Sequence, residues 1–289
     1  VAAVKVVKGT KSEMEKFAGA KVTYSIEAMM LDKKALQAGT SHELGQNFSK
    51  AFEIQFSDEN NELQHPYQTS WGVSTRLIGM IIMAHGDDKG LKLPPAIAPT
   101  QVVIVPIIPK NSDPEKILNT AHQLAKSLEG IRVKVDDREE VSPGFKFNEW
   151  ELKGVPLRIE IGPKDIEKNS VIVARRDVDD SKTEVDIDTL PTEVPLLLET
   201  IQSGMLSKSQ GFLEENTQHA EDMEDLIKKL SENDGFVSCY WAENKDDELK
   251  VKEQTKATIR CYPLDHTEEK LSVNQAEENG KFVIFSKSY

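Results

Sequence analysis

Two runs of small and polar residues are the part of this sequence best suited to chemistry. The first covers residues 37–48 and reads QAGTSHELGQNF; the second covers residues 69–79 and reads TSWGVSTRLIG. Each run mixes small residues with a few polar side chains and ends in an apolar stretch. Small residues let a ligand approach the backbone closely, and short polar side chains can hold it. The pattern therefore predicts a sheet surface on which a charged ligand lies flat.

In this order, the two runs resemble the active-site core of prolyl-tRNA synthetases of the archaeal and eukaryotic type. The second run resembles the third signature of class II aminoacyl-tRNA synthetases, in which an arginine, here Arg76, leads into an apolar helix. Most class II enzymes have an acidic residue before that arginine, whereas this chain has Thr75; the Ser-Thr-Arg variant is similar to the prolyl branch. The resemblance continues through residues 11–20, 85–88, 93–95, 101–106, 142–156 and 162–165 and at Tyr289.

The resemblance implies a proline--tRNA ligase, which activates L-proline with ATP and Mg²⁺ and transfers the prolyl group to tRNA(Pro). During activation a carboxylate attacks the α-phosphate, and cations stabilise the negative charge that develops there. Arg76 is the catalytic residue that the resemblance assigns to this task. It assigns ATP binding to four residues: Gln37, Thr40, Ser74 and Arg76. It places His42 and Trp71 on the proline side of the pocket, and a core tryptophan is the alternative for Trp71.

Five charged residues lie around predicted strand ends in the middle of the chain: Lys146, Glu151, Lys153, Arg158 and Lys164. There they could contact unstacked anticodon bases and phosphates, so we predict a tRNA-binding role for them. A glutamate can accept hydrogen bonds from the Watson–Crick edge of guanine, which suits a proline anticodon that ends in two guanines. A solvated charged face is the alternative for all five.

The composition is that of a soluble globular protein. The chain has 289 residues, of which 38% are hydrophobic and 29% charged, a length that predicts two or three domains. Of the net charge of −13, residues 1–95 contribute nothing, residues 96–180 contribute −2 and residues 181–289 contribute −11, so local contact with RNA is not excluded. Without an apolar run of about 18 or more residues or a signal-peptide pattern, we expect no membrane span and a cytoplasmic location.

The predicted fold combines α+β and α/β architecture. Residues 1–98 are expected to form the carboxyl-terminal half of a class II antiparallel-sheet catalytic domain, with strands at 22–26, 34–38, 51–56 and 67–73 and a turn at 58–62. Residues 99–188 are expected to form an α/β anticodon-binding domain with a buried strand at 102–108 and a helix between Pro114 and Gly130. A helical linker (189–234) then leads to a small α+β domain (235–289) with strands at 236–240, 258–261 and 282–285.

In the resembling family, two other class II signatures precede the residues seen here. One of them supplies an arginine for the α-phosphate, and the other lies at the dimer interface. We therefore expect this chain to be part of a longer, homodimeric enzyme and to lack proline-dependent ATP–pyrophosphate exchange by itself. Two alternatives stay open: a non-catalytic RNA-binding or regulatory paralogue, and a relative specific for threonine, glycine or histidine, although the Ser-Thr-Arg variant argues against the latter.

The two cysteines give no disulfide framework and argue against a metal. In much of the family the last domain holds zinc with four cysteines, the first two of which are five residues apart. Here Cys239 is followed by Asn244 at the second position, and Cys261 matches a family cysteine that is not a ligand. Because one ligand cannot hold a structural zinc ion, we expect none.

Overall fold

The structure is a computed structural model that describes residues 1–179, 181–275 and 277–289. Its residues form two compact units. One unit consists of Val1–Val4 and His85–Ser209, and the other of Lys5–Ala84 and Gln210–Tyr289. Each unit therefore joins segments that are distant in the sequence. The domain limits expected at residues 98, 188 and 234 divide the chain differently and stay predictions.

The amino-terminal segment forms six strands and two helices: β1 (Val6–Thr10), β2 (Val22–Met29), β3 (Ala35–Gly45), α1 (Asn47–Ala51), β4 (Phe56–Ser57), β5 (Leu63–Gln64), β6 (Gln68–Gly72) and α2 (Arg76–His85). The strands predicted at 22–26, 34–38 and 67–73 are confirmed, as is the turn of the β4–β5 hairpin. The strand predicted at 51–56 is wrong. Its apolar residues alternate, but the N–H groups of Phe52 and Ile54 donate to carbonyls of Phe48 and Ser49 and so end α1.

The middle segment forms an α/β sheet with the strand order β11-β10-β9-β7-β8. Its elements are β7 (Val102–Pro106), α3 (Pro114–Ser127), β8 (Val133–Val135), α4 (Pro143–Leu152), β9 (Leu157–Ile161), α5 (Pro163–Glu167), β10 (Ser170–Arg175), β11 (Thr183–Asp186) and a 3₁₀ turn (Ile187–Thr189). Strand β7 is parallel to β8 and β9 and is buried, as the apolar run predicts. The α/β expectation is therefore confirmed.

Helix α4 escaped the sequence reasoning. Its residues Phe145 and Phe147 alternate as in a strand, so periodicity gave no helical signal. A helix starts there nevertheless, because the Ser142 hydroxyl accepts a hydrogen bond from the N–H of Phe145 (3.3 Å) and Pro143 occupies the first helical position. The last turn of this helix contains Glu151, one of the predicted tRNA contacts.

The carboxyl-terminal segment contains α6 (Leu190–Glu215), β12 (Thr217–His219), α7 (Met223–Glu232), β13 (Phe236–Trp241), α8 (Lys245–Thr255), β14 (Thr258–Pro263), β15 (Glu269–Leu271) and β16 (Asn279–Ser286). The three strands predicted in this segment are confirmed. Strand β14 pairs with β1, so strands from both ends of the chain form one sheet in the order β12-β13-β16-β14-β1-β2-β3-β6, with β15 beside β16. No helix in the described ranges is long and apolar enough to cross a membrane.

A buried ionic cluster lies where β1, β2 and β14 meet. Glu27 is fully buried, and its carboxylate accepts hydrogen bonds from Lys11 (2.7 Å) and from two nitrogens of Arg260 (2.9 and 3.1 Å). The ammonium of Lys11 also donates to the carbonyl oxygen of Arg260 (2.7 Å). Residues more than 230 positions apart in sequence are thus joined by complementary charges in the sheet that carries the candidate ATP site.

Candidate active site and anticodon site

Three of the predicted ligand-binding side chains share one face of strand β3. Thr40 and His42 are two residues apart and so project from the same face. Gln37 is three residues before Thr40 and would normally project from the other face. However, the β2–β3 register shifts between Ile26 and Glu27, opposite Gly39 and Gln37. This β-bulge adds one residue and brings Gln37 to the face of Thr40 and His42.

The imidazole ring of His42 is held in a defined position. Its Nδ1 lies 3.0 Å from the hydroxyl of Thr23, and its ring stacks at a tilt on Phe17 with 4.9 Å between the ring centroids. The same hydroxyl accepts a hydrogen bond from the N–H of Phe17 (3.0 Å), so its own proton is available to Nδ1. The arrangement favours the tautomer that carries its hydrogen on Nε2. His42 thus offers a half-buried N–H donor on the face of β3 that it shares with Gln37 and Thr40.

Arg76 stands at the first position of α2, where sequence reasoning placed it. The residue is exposed, and no hydrogen-bond or ion-pair partner contacts its guanidinium within the part of the chain that the structure describes. Its backbone N–H donates to the hydroxyl of Ser74 (3.3 Å), which helps to form the first helical turn. The amino-terminal end of a helix adds partial positive charge. Arg76 and the helix end together form a cationic position suited to phosphate oxygens.

Trp71 is not brought to the same face as His42. In the β3–β6 register Trp71 lies opposite Ser41, and Ser70 lies opposite His42, so Trp71 projects from the other side of the sheet. There it lines an apolar cavity of about 350 Å³ together with Tyr24 and Val73. Its side chain is 78% exposed, which contradicts the alternative of a core tryptophan. Its assignment to the proline pocket stays a prediction without support from this placement.

In the α/β unit, Glu151 and Arg158 line the same cavity, which has a volume of about 400 Å³. Glu151 belongs to the last turn of α4, and Arg158 lies on the neighbouring strand β9. The guanidinium of Arg158 pairs with Glu160 (2.9 Å) and stacks over the ring of Phe147 at 4.4 Å. A cavity with an acceptor carboxylate, a planar cation and an aromatic ring nearby is suited to an unstacked RNA base.

Sequence reasoning missed further cations of this cavity. Arg175, Arg176 and Lys182 also line it. Arg175 is the last residue of strand β10, Arg176 follows it, and Lys182 directly precedes β11. The available signal was the pair of arginines directly after a buried strand.

The predicted tRNA contact of Lys146 is corrected by the structure. Lys146 is 4% exposed, and its ammonium donates to the carbonyl oxygen of Asp136 (2.9 Å), with the carboxylate of the same residue at 4.0 Å. The Lys146 ammonium is therefore bound to Asp136 inside the α/β unit and does not face RNA. Lys153 is exposed, but it pairs with Glu149 (2.6 Å) and lies over the ring of Trp150 at 4.5 Å.

Lys164 lies apart from the other predicted RNA contacts. It belongs to α5, which follows β9, whereas Glu151 precedes β9; a five-residue strand separates the two ends by about 16 Å. Lys164 is exposed and lines a cavity of about 610 Å³ together with Asn111 and Lys116 at the carboxyl ends of β7 and β9. Across the described ranges no acidic side chain pairs with its ammonium. Its charge is available to a phosphate or a base.

Comparisons with known proteins agree with this geometry segment by segment. Residues 2–85 match the model of the tRNA synthetase class II core domain (G, H, P, S and T). Residues 101–195 match the anticodon binding domain. Residues 223–289 match the prolyl-tRNA synthetase C-terminal domain, and this match distinguishes the prolyl enzymes from the other class II synthetases. This chain belongs to the prolyl-tRNA synthetase family.

Individual prolyl-tRNA synthetases support the assignment. The proline--tRNA ligase of Natranaerobius thermophilus is 53% identical over 243 residues, which cover 84% of this chain and 50% of the relative. The chloroplastic/mitochondrial enzyme of Arabidopsis thaliana is 55% identical over 221 residues, 74% of this chain and 41% of the relative. The crystal structure of the Cryptosporidium parvum enzyme with L-proline and AMP superimposes with a TM-score of 0.90 at 41% identity and covers 100% of this chain and 62% of its own. The chain thus spans about half the length of the curated prolyl-tRNA synthetases that it matches.

The cysteines lie in the prolyl-tRNA synthetase C-terminal segment and are both buried and unpaired. Burial raises the pKa of both thiols, that of Cys261 to about 12. Asn244, at the position expected for a second ligand, instead caps α8 by accepting from the N–H groups of Asp246 and Asp247 (3.0 and 3.1 Å). The described ranges contain no group of three His, Cys, Asp or Glu residues arranged to hold a metal ion.

We expect the segment to stay folded when metals are removed. A chelator such as EDTA should leave the melting temperature of the chain unchanged, because the core of Val237, Trp241, Ile259, Val283 and Phe285 is buried without any metal ligand. Differential scanning fluorimetry with and without the chelator measures this. Elemental analysis that finds about one tightly held zinc ion per chain would contradict the expectation.

Proposed function

We propose that this chain is part of a proline--tRNA ligase that activates L-proline with ATP and transfers the prolyl group to tRNA(Pro). One observation carries the proposal: the enzyme crystallised with L-proline and AMP covers the whole chain at 41% identity. A second structure of the same enzyme, with halofuginone and AMPPNP, is equally similar (TM-score 0.90, 40% identity). The polar face of β3 and the cationic start of α2 support the same reaction.

In this proposal Arg76 contacts the phosphates of ATP and stabilises the charge that develops as the proline carboxylate attacks the α-phosphate. Gln37, Thr40 and Ser74 supply short polar groups for the nucleotide. His42 binds on the proline side, where its Nε2–H can donate to an acceptor. Mg²⁺ enters with ATP as part of the substrate.

The tRNA, the dimer and the location are further parts of the proposal. The anticodon of tRNA(Pro) would bind at the α/β unit, with Glu151 and Arg158 at one end of β9 and Lys164 at the other. The family resemblance also leads us to propose a homodimer and a cytoplasmic enzyme. Light scattering of the purified protein tests the dimer.

The reaction can be tested by restoring a complete catalytic domain. Joining this chain to the amino-terminal half of the catalytic domain of the Natranaerobius relative should give proline-dependent ATP–pyrophosphate exchange and charging of tRNA(Pro). The chain alone provides the reference measurement. A well-folded chimaera that exchanges pyrophosphate with another amino acid, or with none, would refute the proposal.

Replacing Lys164 by alanine should weaken tRNA charging by about tenfold and leave proline-dependent exchange intact. One charge-assisted hydrogen bond to RNA is lost, which has roughly this effect, while adenylate formation takes place elsewhere in the chain. Aminoacylation and exchange assays of the same chimaera measure the two steps. The matched control is Lys168→Ala, because Lys168 lies four residues away but already pairs with Glu184 (3.5 Å). Equal losses in both assays would contradict the role of Lys164.

A further inference from the structure

Arg176 is a buried arginine whose guanidinium connects two segments of the α/β unit. It is 8% exposed and lines the cavity that contains Glu151. Its Nε donates to the backbone carbonyl of Glu151 (3.1 Å), and its two terminal nitrogens donate to the two carboxylate oxygens of Asp87 (2.5 and 3.0 Å). Every nitrogen of the planar guanidinium group is therefore engaged. One side chain holds Glu151 and Asp87 at a set separation.

Asp87 belongs to a short stretch, residues 87–93, that we call the bracing segment. Within it the N–H of Leu91 donates to the carbonyl of Leu152 (3.0 Å), and the N–H of Leu93 donates to the carbonyl of Gly154 (3.1 Å). Gly90 has φ +125° and lies so close to α4 that a Cβ would be 2.6 Å from the Leu152 oxygen. The bracing segment thus packs on the backbone directly after Glu151. It lies outside the residues that match the anticodon binding domain.

The carboxylate of Asp87 is a stable acceptor in this arrangement. Hydrogen bonds from Arg176, and then from Lys92 (2.8 Å) and the N–H of Lys89 (2.9 Å), hold the pKa of Asp87 well below its usual range against the effect of burial. The contribution to stability is present above the ordinary pKa of aspartate and is lost only as the pH falls through the lower value of the folded protein. At physiological pH the Asp87 carboxylate therefore stays ionised and accepts from Arg176.

The bracing segment also reaches the side chain of Glu151. The ammonium of Lys89 lies 3.9 Å from the Glu151 carboxylate and 2.8 Å from that of Asp179. The backbone of Glu151 is thus held through Arg176, and its carboxylate faces a cation from the same segment. A glutamate that reads a base by hydrogen bonds must keep its oxygens within a few tenths of an ångström of their places, because hydrogen bonds weaken steeply with distance and angle.

We propose that Arg176 and Asp87 are positioning residues for anticodon recognition. By tying the backbone of Glu151 to the bracing segment, the pair fixes the Glu151 carboxylate at the wall of the cavity where it can distinguish guanine from adenine. The inference rests on the proposed function, in which Glu151 reads a guanine of the proline anticodon. It assigns the contact with the base to Glu151 and its alignment to Arg176 and Asp87.

The test is base discrimination by the 289-residue chain. Dissociation constants are measured for the anticodon stem-loop of tRNA(Pro) and for stem-loops in which each anticodon guanine is replaced in turn by adenine. Arg176→Met should lower the guanine-to-adenine preference at one position by about tenfold. It should leave the salt dependence of binding unchanged, because contacts with phosphates remain. Arg176→Lys should restore only part of the preference, since one ammonium cannot reproduce the planar set of bonds.

A second variant and a control keep the result interpretable. Asp87→Asn removes the charge at a partly exposed site without loss of volume and should lower the preference in the same direction, which decides the matter if Arg176→Met fails to fold. The control is Arg175→Met, because Arg175 lines the same cavity and pairs with Asp177 (2.7 Å) but makes no bond to Glu151. Because Arg175 lines the cavity, Arg175→Met should weaken the binding of every stem-loop alike and leave the guanine-to-adenine preference unchanged.

The outcomes separate the inference from the proposed function. Full preference in both folded Arg176→Met and Asp87→Asn would overturn the positioning role and leave the proposed function untouched. An equal loss in Arg175→Met would also overturn it, because the effect would then come from the charge of the cavity. If the unchanged chain shows no preference for guanine, or Glu151→Gln keeps that preference, the proposed reading of guanine by Glu151 fails, and the inference fails with it.

Discussion

Replacing Arg76 by alanine is expected to lower the rate of prolyl-adenylate formation by about 100-fold or more. Removing one preorganised contact with the charge of the transition state typically costs about 3 kcal/mol. Arg76 is exposed at the start of α2, where no carboxylate in the described ranges competes for its guanidinium. Proline-dependent ATP–pyrophosphate exchange, measured in the chimaera with a complete catalytic domain, gives the rate.

The control for Arg76 is a second assay together with a conservative variant. Binding of the anticodon stem-loop should be unchanged in Arg76→Ala, because that contact is proposed for the α/β unit. Arg76→Lys keeps the charge but loses the planar guanidinium group. Its exchange rate should therefore lie between the rates of the unchanged chimaera and the Arg76→Ala variant. Normal exchange combined with weak tRNA binding in Arg76→Ala would remove Arg76 from the ATP site.

Replacing Glu27 by glutamine is expected to destabilise the sheet that carries the candidate ATP site by about 3–5 kcal/mol, because breaking a buried ion pair leaves a charge without its partner. Here two cations, Lys11 and Arg260, would lose the fully buried carboxylate that they share. For a unit of this size the melting temperature should fall by about 6–20 °C. Calorimetry or circular dichroism of the 289-residue chain measures the change.

The matched control for Glu27 is an exposed ion pair in the same unit. Glu13 pairs with Lys16 at 2.8 Å, but its side chain is 48% exposed, so Glu13→Gln should change the melting temperature little. A triple replacement of Lys11, Glu27 and Arg260 by apolar residues of similar volume should recover much of the lost stability, since no buried charge remains. If Glu27→Gln and Glu13→Gln have equal effects, the buried cluster does not stabilise the sheet.

Some features of the site could be predicted because their signals act over a few residues. The apolar helix after Arg76 is implied by the resemblance of residues 69–79 to a class II signature, and the buried strand β7 follows from its continuous apolar residues. The limits of periodicity are equally clear. Residues 51–56 alternate like a strand, but backbone hydrogen bonds from Phe52 and Ile54 make them the end of a helix. Phe145 and Phe147 alternate inside a helix, because the Ser142 cap next to them outweighed the pattern.

The sequence by itself determined the family, the order of its segments and the residue types of the site, because these are carried by contiguous strings such as residues 69–79. Only the tertiary structure decided where these side chains lie and what they contact. A register shift between β2 and β3 brings Gln37 to the face of Thr40, and the pairing of β3 with β6 turns Trp71 away from His42. Lys146 donates a hydrogen bond to the carbonyl of Asp136 in the interior, and Arg176 donates to Asp87, which is 89 positions away in sequence. Local patterns cannot specify such contacts, because the free energy that selects them comes from groups that meet only when distant segments pack together.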